Sequence, residues 1–107
     1  MYIIDEFKAI EMKVGTIVSA EKVENADKLL RLMVDFGEGE PRQIISGISE
    51  WYAPESLVGK QCPFVTNLAL RTIRGLESKG MILAVGLEGS VALLHPDKEV
   101  PPGSVLR

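Results

Sequence analysis

From residue 12 to 23 the chain reads "MKVGTIVSAEKV", with apolar and polar positions alternating and many β-branched side chains. That period-2 pattern predicts a long strand. Gly15 interrupts it and predicts a bulge or sharp bend, the device by which one strand serves both sides of a small barrel. "ENADK" follows as a turn, in which Asn25 and Asp27 can bond local backbone. "LLRLMVDFG" (29–37) and "RQIISGI" (42–48) then predict a hairpin through "EGEP", with Gly37 and Gly39 supplying permissive dihedrals and Pro41 ending the turn. "SEWYAPESLV" (49–58) predicts a helical connection, capped by Ser49 and limited by Pro54, with Trp51 and Tyr52 covering a barrel end. "QCPFVTNL" and "ALRTIR" are short strand-like runs, and "KGMILAVGLEG" pairs with "VALLHP" through "LEGS". Near the start, "DEFKA" (5–9) fits a helical turn with Asp5 as N-cap and Phe7 facing inward.

The pattern sums to five or six short, glycine-punctuated strands with one helical connection between the third and fourth. A sandwich needs about seven strands. A five-stranded oligonucleotide/oligosaccharide-binding (OB) barrel has a helical connection in that place, and this all-β class is the fold expected. At 107 residues the chain has the length of a single domain, 1–107, able to bury one core.

Composition narrows the function classes. No apolar run approaches the roughly 20 residues of a bilayer span, and "MYIIDEFKAIEMK" lacks the build of a signal peptide, so a cytoplasmic protein with no membrane partner is expected. Cys62 is alone and reads as a small buried side chain; His95 is the only histidine and reads as a turn-facing imidazole. No nucleophile–base pair and no metal-ligand spacing stand out, so the expectation is no catalytic residue, no metal and no cofactor.

Charge changes the picture again. The net charge is −3, against a non-specific nucleic-acid binder. Its distribution is uneven: residues 1–40 carry −4, residues 41–80 carry +2 and residues 81–107 carry −1. The positive third contains "NLALRTIRGLESKGMILA" (67–84), where "GLESKGM" breaks the sheet pattern with two glycines, a serine and nearby cations.

The order of motifs is more specific than the composition. "DEFKAIEMKVGTIVSAEKVENADKLLRLMVDFGEGEPRQIISGI", then "LVGKQCPFVTNLALRTIRGLESKGMILA" and "LLHPDKEVPPGSVL", resembles the EMAP II-like tRNA-binding domain across nearly the whole chain. That domain occurs at the carboxy-terminus of many methionyl-tRNA synthetases, as stand-alone tRNA-binding proteins and in a chaperone-like protein. The resemblance implies an OB fold that dimerises, binds the outer corner of tRNA by shape and does not itself activate an amino acid. In this sequence its binding-face motifs fall on Asn67, Leu68, Ser78, Gly80 and Met81.

Shape recognition of RNA rests on phosphate and 2′-hydroxyl contacts with occasional base stacking. Arg42, Lys60, Arg71, Arg74 and Lys79 are the candidates for phosphate contact. Asn67 and Ser78 offer directional hydrogen bonds, and Met81 a polarizable surface, with Ser46 and Gly47 as further groove residues. Each has a plainer alternative: Lys60 as a solvated lysine, Asn67 as a strand-end cap, Met81 as the first residue of a core run. Tyr2, Ile3, Ile4, Val105 and Leu106 are apolar for chain termini and form the expected homodimer interface, or else plug a monomer's barrel. The expected partners are tRNA, a second copy and the catalytic part of methionyl-tRNA synthetase. A chaperone-like module taking apolar peptides in the same groove is the alternative class.

Overall fold

Alternation over twelve residues produces the spine of the molecule, strand β1 (Met12–Val23). In the computed structural model, which describes residues 1–107, a short helix α1 (Ile4–Lys8) precedes it. Strands β2 (Ala26–Asp35), β3 (Arg42–Ser46) and β4 (Gln61–Val65) follow. Then come β5 (Arg71–Ile73), β6 (Leu76–Ser78), β7 (Met81–Ile82), β8 (Ala84–Leu87) and β9 (Ser90–Leu93). The chain is all-β, with an antiparallel five-stranded sheet in the order β3-β2-β1-β4-β7. Strands β5 and β6, and β8 and β9, form separate two-stranded hairpins.

The two edges of the main sheet approach each other. The Lys79 backbone N–H donates to the Gln43 carbonyl (2.9 Å), and the Ile45 N–H donates to the Ser78 hydroxyl (3.0 Å). The segment entering β7 is thereby held against β3 in a barrel-like arrangement. Inside, Leu30, Leu32 and Val34 of β2 meet Ile17, Ile44, Cys62 and Phe64. Phe36 packs edge-to-face on Phe64, with ring centroids 5.3 Å apart. Burial pushes the Cys62 thiol up to about 11, so it is a packing group at neutral pH. His95 Nδ1 lies 2.7 Å from the Gln61 carbonyl, to which its N–H donates.

Several local expectations need correction. Gly15 forms no bulge: β1 and β4 stay in register from Met12↔Val65 to Thr16↔Gln61. The irregularities lie further on, between Ile17 and Ser19 and between Lys22 and Val23. Gly15 serves close packing, because a Cβ there would collide with Val34 and sit 2.6 Å from a ring carbon of Phe36. The connection at 49–58 shrinks to a turn and one 3₁₀ turn, Pro54–Ser56. Tyr52 still covers the core, its hydroxyl accepting from the Leu93 N–H (3.1 Å), while Trp51 stays 40% exposed. Asp5 lies inside α1 and does not cap it; the Ile3 N–H donates to the Glu6 carboxylate (3.1 Å). Phe7 is exposed, because nothing packs over so short a helix.

The last residues complete the sheet. The Val14 N–H donates to the Ser104 carbonyl (2.8 Å), the Gly103 N–H to Val14 (2.7 Å) and the Leu106 N–H to Met12 (2.9 Å). Gly103 has φ +91°, and a Cβ there would collide with the Phe36 carbonyl, so the "PPGS" turn seats only with glycine. No helix is long and apolar enough to cross a membrane.

Candidate nucleic-acid interface

The break in the sheet pattern at "GLESKGM" is itself a hairpin. Arg71 pairs with Ser78, Thr72 with Glu77 and Ile73 with Leu76. Only Arg74 and Gly75 remain for the turn, with φ +53° and +79°. Positive φ at both central residues is the geometry of a type I′ turn, which matches strand twist. Glycine adopts it freely, whereas at Arg74 it costs about 1–2 kcal/mol. Three cations thus stand on one small element: Arg71 at its open end, Arg74 at its tip and Lys79 just after it. All three are exposed and none joins an ion pair, whereas Lys13, Lys28, Arg31 and Arg42 do.

Beneath the hairpin the polar groups are committed to structure. Ser78 is 1% exposed; its hydroxyl accepts from Ile45 and donates to the Gly80 carbonyl (3.0 Å). Gly80, at φ +154°, lets the chain pass close to β4, since a Cβ there would sit 3.0 Å from the Val65 carbonyl. The Arg42 guanidinium forks onto Glu38 (2.8 and 2.7 Å) and donates to the carbonyls of Thr66 (2.7 Å) and Lys79 (3.2 Å). It also lies over the Phe36 ring, 5.4 Å from the centroid. The Arg42 bond holds the Glu38 carboxyl below its ordinary pKa, and Glu38 in turn raises that of Arg42. Arg42 is therefore a clamp joining the end of β4 to the segment before β7, with its donors already engaged.

Asn67 acts as a tether. Its side-chain carbonyl accepts from the Glu11 N–H (2.8 Å), and its amide donates to the Ala9 carbonyl (2.8 Å), tying the segment after α1 to the end of β4. Next to it, the Thr66 hydroxyl donates to Glu11 Oε1 (2.6 Å). That bond, then Lys13 at 3.6 Å, holds the Glu11 carboxyl below its ordinary value. Met81 is half-buried opposite Val65; Ser46 is buried, Gly47 exposed and Leu68 exposed beside Asn67. Lys60 stands apart from the rest. It precedes β4, whereas Asn67 follows it, so roughly 20 Å of extended chain separates them.

Ile4, Val105 and Leu106 line one groove of about 600 Å³ with Phe7, Ile10 and Met12, and Tyr2 and Ile3 are exposed just before α1. A second cleft, about 400 Å³, lies between the β1–β2 hairpin and the tip of β5–β6.

Residues 12–105 match the family model described as "Putative tRNA binding domain". The chain belongs to this tRNA-binding domain family. The domain is 52% identical over 103 residues to the methionine–tRNA ligase of Methanothrix thermoacetophila, covering 96% of this chain and 15% of that one. It is 47% identical over 104 residues to the ligase of Parabacteroides distasonis, again 96% of this chain and 15% of the other. This tRNA-binding domain therefore spans only about 15% of the ligases it matches. Among solved structures, the MetRS-related protein of Pyrococcus horikoshii superposes with a TM-score of 0.93 at 41% identity, covering 100% of this chain and 98% of that one. The chaperone CsaA of Bacillus anthracis superposes at 0.91 with 31% identity, covering 100% and 99%.

Within this tRNA-binding domain, contacts link Arg42 with Lys79, Arg71 with Ser78 and Ser78 with Gly80, and Met81 follows in the chain. Asn67 instead faces the groove beside α1, Arg74 the cleft at the hairpin tip, and Lys60 stands apart. Sequence reasoning missed the partners that hold the site: Glu38 for Arg42, Thr66 and Glu11 beside Asn67, and Gln43, whose amide donates to the Glu77 carbonyl (2.9 Å). Only the four-residue spacing of Glu38 and Arg42 was a usable signal, and it lay across a turn.

Proposed function

We propose that this chain is a non-catalytic, structure-specific tRNA-binding and dimerisation module of methionyl-tRNA synthetase. It assists tRNA capture for aminoacylation, either as part of the ligase or in trans. One observation carries the reading: Arg71, Arg74 and Lys79 are exposed and unneutralised on one hairpin of an otherwise acidic chain. Phosphates supply the charge that such a set lacks, and exposed Leu68 and Leu70 beside it offer apolar contact to a ribose or base. Arg42, Ser78 and Gly80 hold the hairpin in place, Asn67 ties residues 9–11 to the end of β4, Met81 pairs with Val65, and Lys60 is a peripheral contact. The family match and the ligase relatives support tRNA as the RNA concerned.

Tyr2, Ile3, Ile4, Val105 and Leu106 form the dimer contact in this reading, giving two RNA faces on one symmetric body. Sedimentation at micromolar concentration is expected to show a dimer, and a monomer would reject that half of the reading. The RNA half is tested by binding total tRNA to the wild type and to Arg71→Ala/Arg74→Ala. Affinity should fall at least tenfold in the variant with the fold intact; unchanged affinity removes the hairpin from the site.

The apolar groove beside α1 supports a second reading, a chaperone-like module that takes peptides, and one structural relative is a chaperone. Competition decides between them: an apolar peptide that displaces tRNA at matched salt favours a shared peptide site.

A further inference from the structure

The cleft between the two hairpin tips is built differently from the phosphate-facing surface. One wall is the end of β1 with its turn, Glu21 to Glu24, together with Arg31 of β2; the other is Arg74 and Leu76. Glu21 and Arg31 face each other across the ladder and form an ion pair, so that guanidinium is already held. Glu24, Lys22 and Arg74 have no side-chain hydrogen-bond or ion-pair partner in the protein, leaving one free acceptor and two free donors at the same opening. Val23 and Leu76 are half-buried and give the cleft an apolar lining.

A phosphate alone does not use this site fully, because Glu24 stands unpaired among its cations Lys22 and Arg74. A nucleobase does: it has apolar faces for Val23 and Leu76, a face for the Arg74 plane, and a polar edge for Glu24. At about 400 Å³ the cleft lies in the range of single-ligand sites, roughly 300–1,000 Å³, and excludes a duplex. A carboxylate only accepts hydrogen bonds, so it favours an exposed amino group, as on cytosine, over the uracil N3–H, which two carbonyl oxygens flank. Arg74 fits as the hinge between the two surfaces, since its strained backbone holds the side chain at the boundary of cleft and phosphate face.

The geometry points to a slot for one unpaired nucleotide of the bound RNA, base inward, read by Glu24 through an exocyclic amino group. The inference rests on the RNA-binding reading and adds base preference to it. Fluorescent pentacytidylate and pentauridylate are the probes, since cytosine and uracil differ at that edge. The wild type should bind the cytidine oligomer about fivefold or more tighter than the uridine one. In Glu24→Gln that ratio should fall toward one. A purely electrostatic role for Glu24 predicts something else: both oligomers tighten together and the ratio stays. Amide NMR shifts on adding pentacytidylate to the unaltered protein should fall on residues 22–24 and 74–76. Equal binding of the two oligomers, an unchanged ratio in the variant, or shifts confined elsewhere would each overturn the slot. Failure of tRNA binding with the cytidine preference intact would instead sink the tRNA reading and leave the slot standing.

Discussion

Ser78 shows how one buried side chain can set the course of the chain above it. Its hydroxyl bridges the Ile45 N–H and the Gly80 carbonyl at a point where β3 and the segment before β7 lack a backbone rung. Ser78→Ala leaves both groups unpaired and buried, and should lower stability by about 1–3 kcal/mol in urea unfolding. Any loss of tRNA binding in that variant should track the unfolded fraction. Arg74 is the opposite case, a strained residue with no partner. Asparagine tolerates positive φ far better, so Arg74→Asn should keep or raise the melting temperature while weakening tRNA binding. A fall in both would show that Arg74 is structural. The acidic side chains add a pH dependence: Glu11 and Glu38 both titrate below the ordinary value of 4.5 in the folded protein. Their stabilisation is complete above that value and is lost as pH falls through the lowered folded values. A urea midpoint followed from pH 6 to pH 3 should fall, and Glu11→Gln/Glu38→Gln should flatten that descent.

At the scale of elements, β1 was legible residue for residue, because alternation over twelve positions leaves little choice of period. The hairpin of β2 and β3 and that of β8 and β9 were legible from their glycine turns. The β5–β6 hairpin was not: "TIRGLE" places arginine where asparagine would announce a type I′ turn, so the glycine looked like an interruption. Gly15 was misread because a bulge and a close packing contact leave the same mark in a sequence. The cations of the candidate site could be seen, but not their division into free and clamped ones, since that depends on Glu38 and on carbonyls of Thr66 and Lys79 contributed by distant segments. The clasp between the "PPGS" turn and Phe36 was likewise invisible. Gly103→Ala should destabilise the fold by more than about 1 kcal/mol, measured by thermal unfolding, since both φ and space forbid the methyl group.

For the whole molecule, a net charge of −3 sets the terms on which RNA is met. Only local cations attract phosphates, so affinity should drop by about 2 to 3 log units per decade of salt if Arg71, Arg74 and Lys79 each make one contact. A flat salt titration would remove the charge model. The fold's connectivity has another effect. The residues that complete the edge of β1, Ser104 to Leu106, are made long after the strand they pair with. During synthesis, then, the first half of β1 waits with an open edge until the residues around Val105 clear the ribosome. A chain cut just before Ser104 would lose little mass but would keep that edge open and prone to pairing with its neighbours.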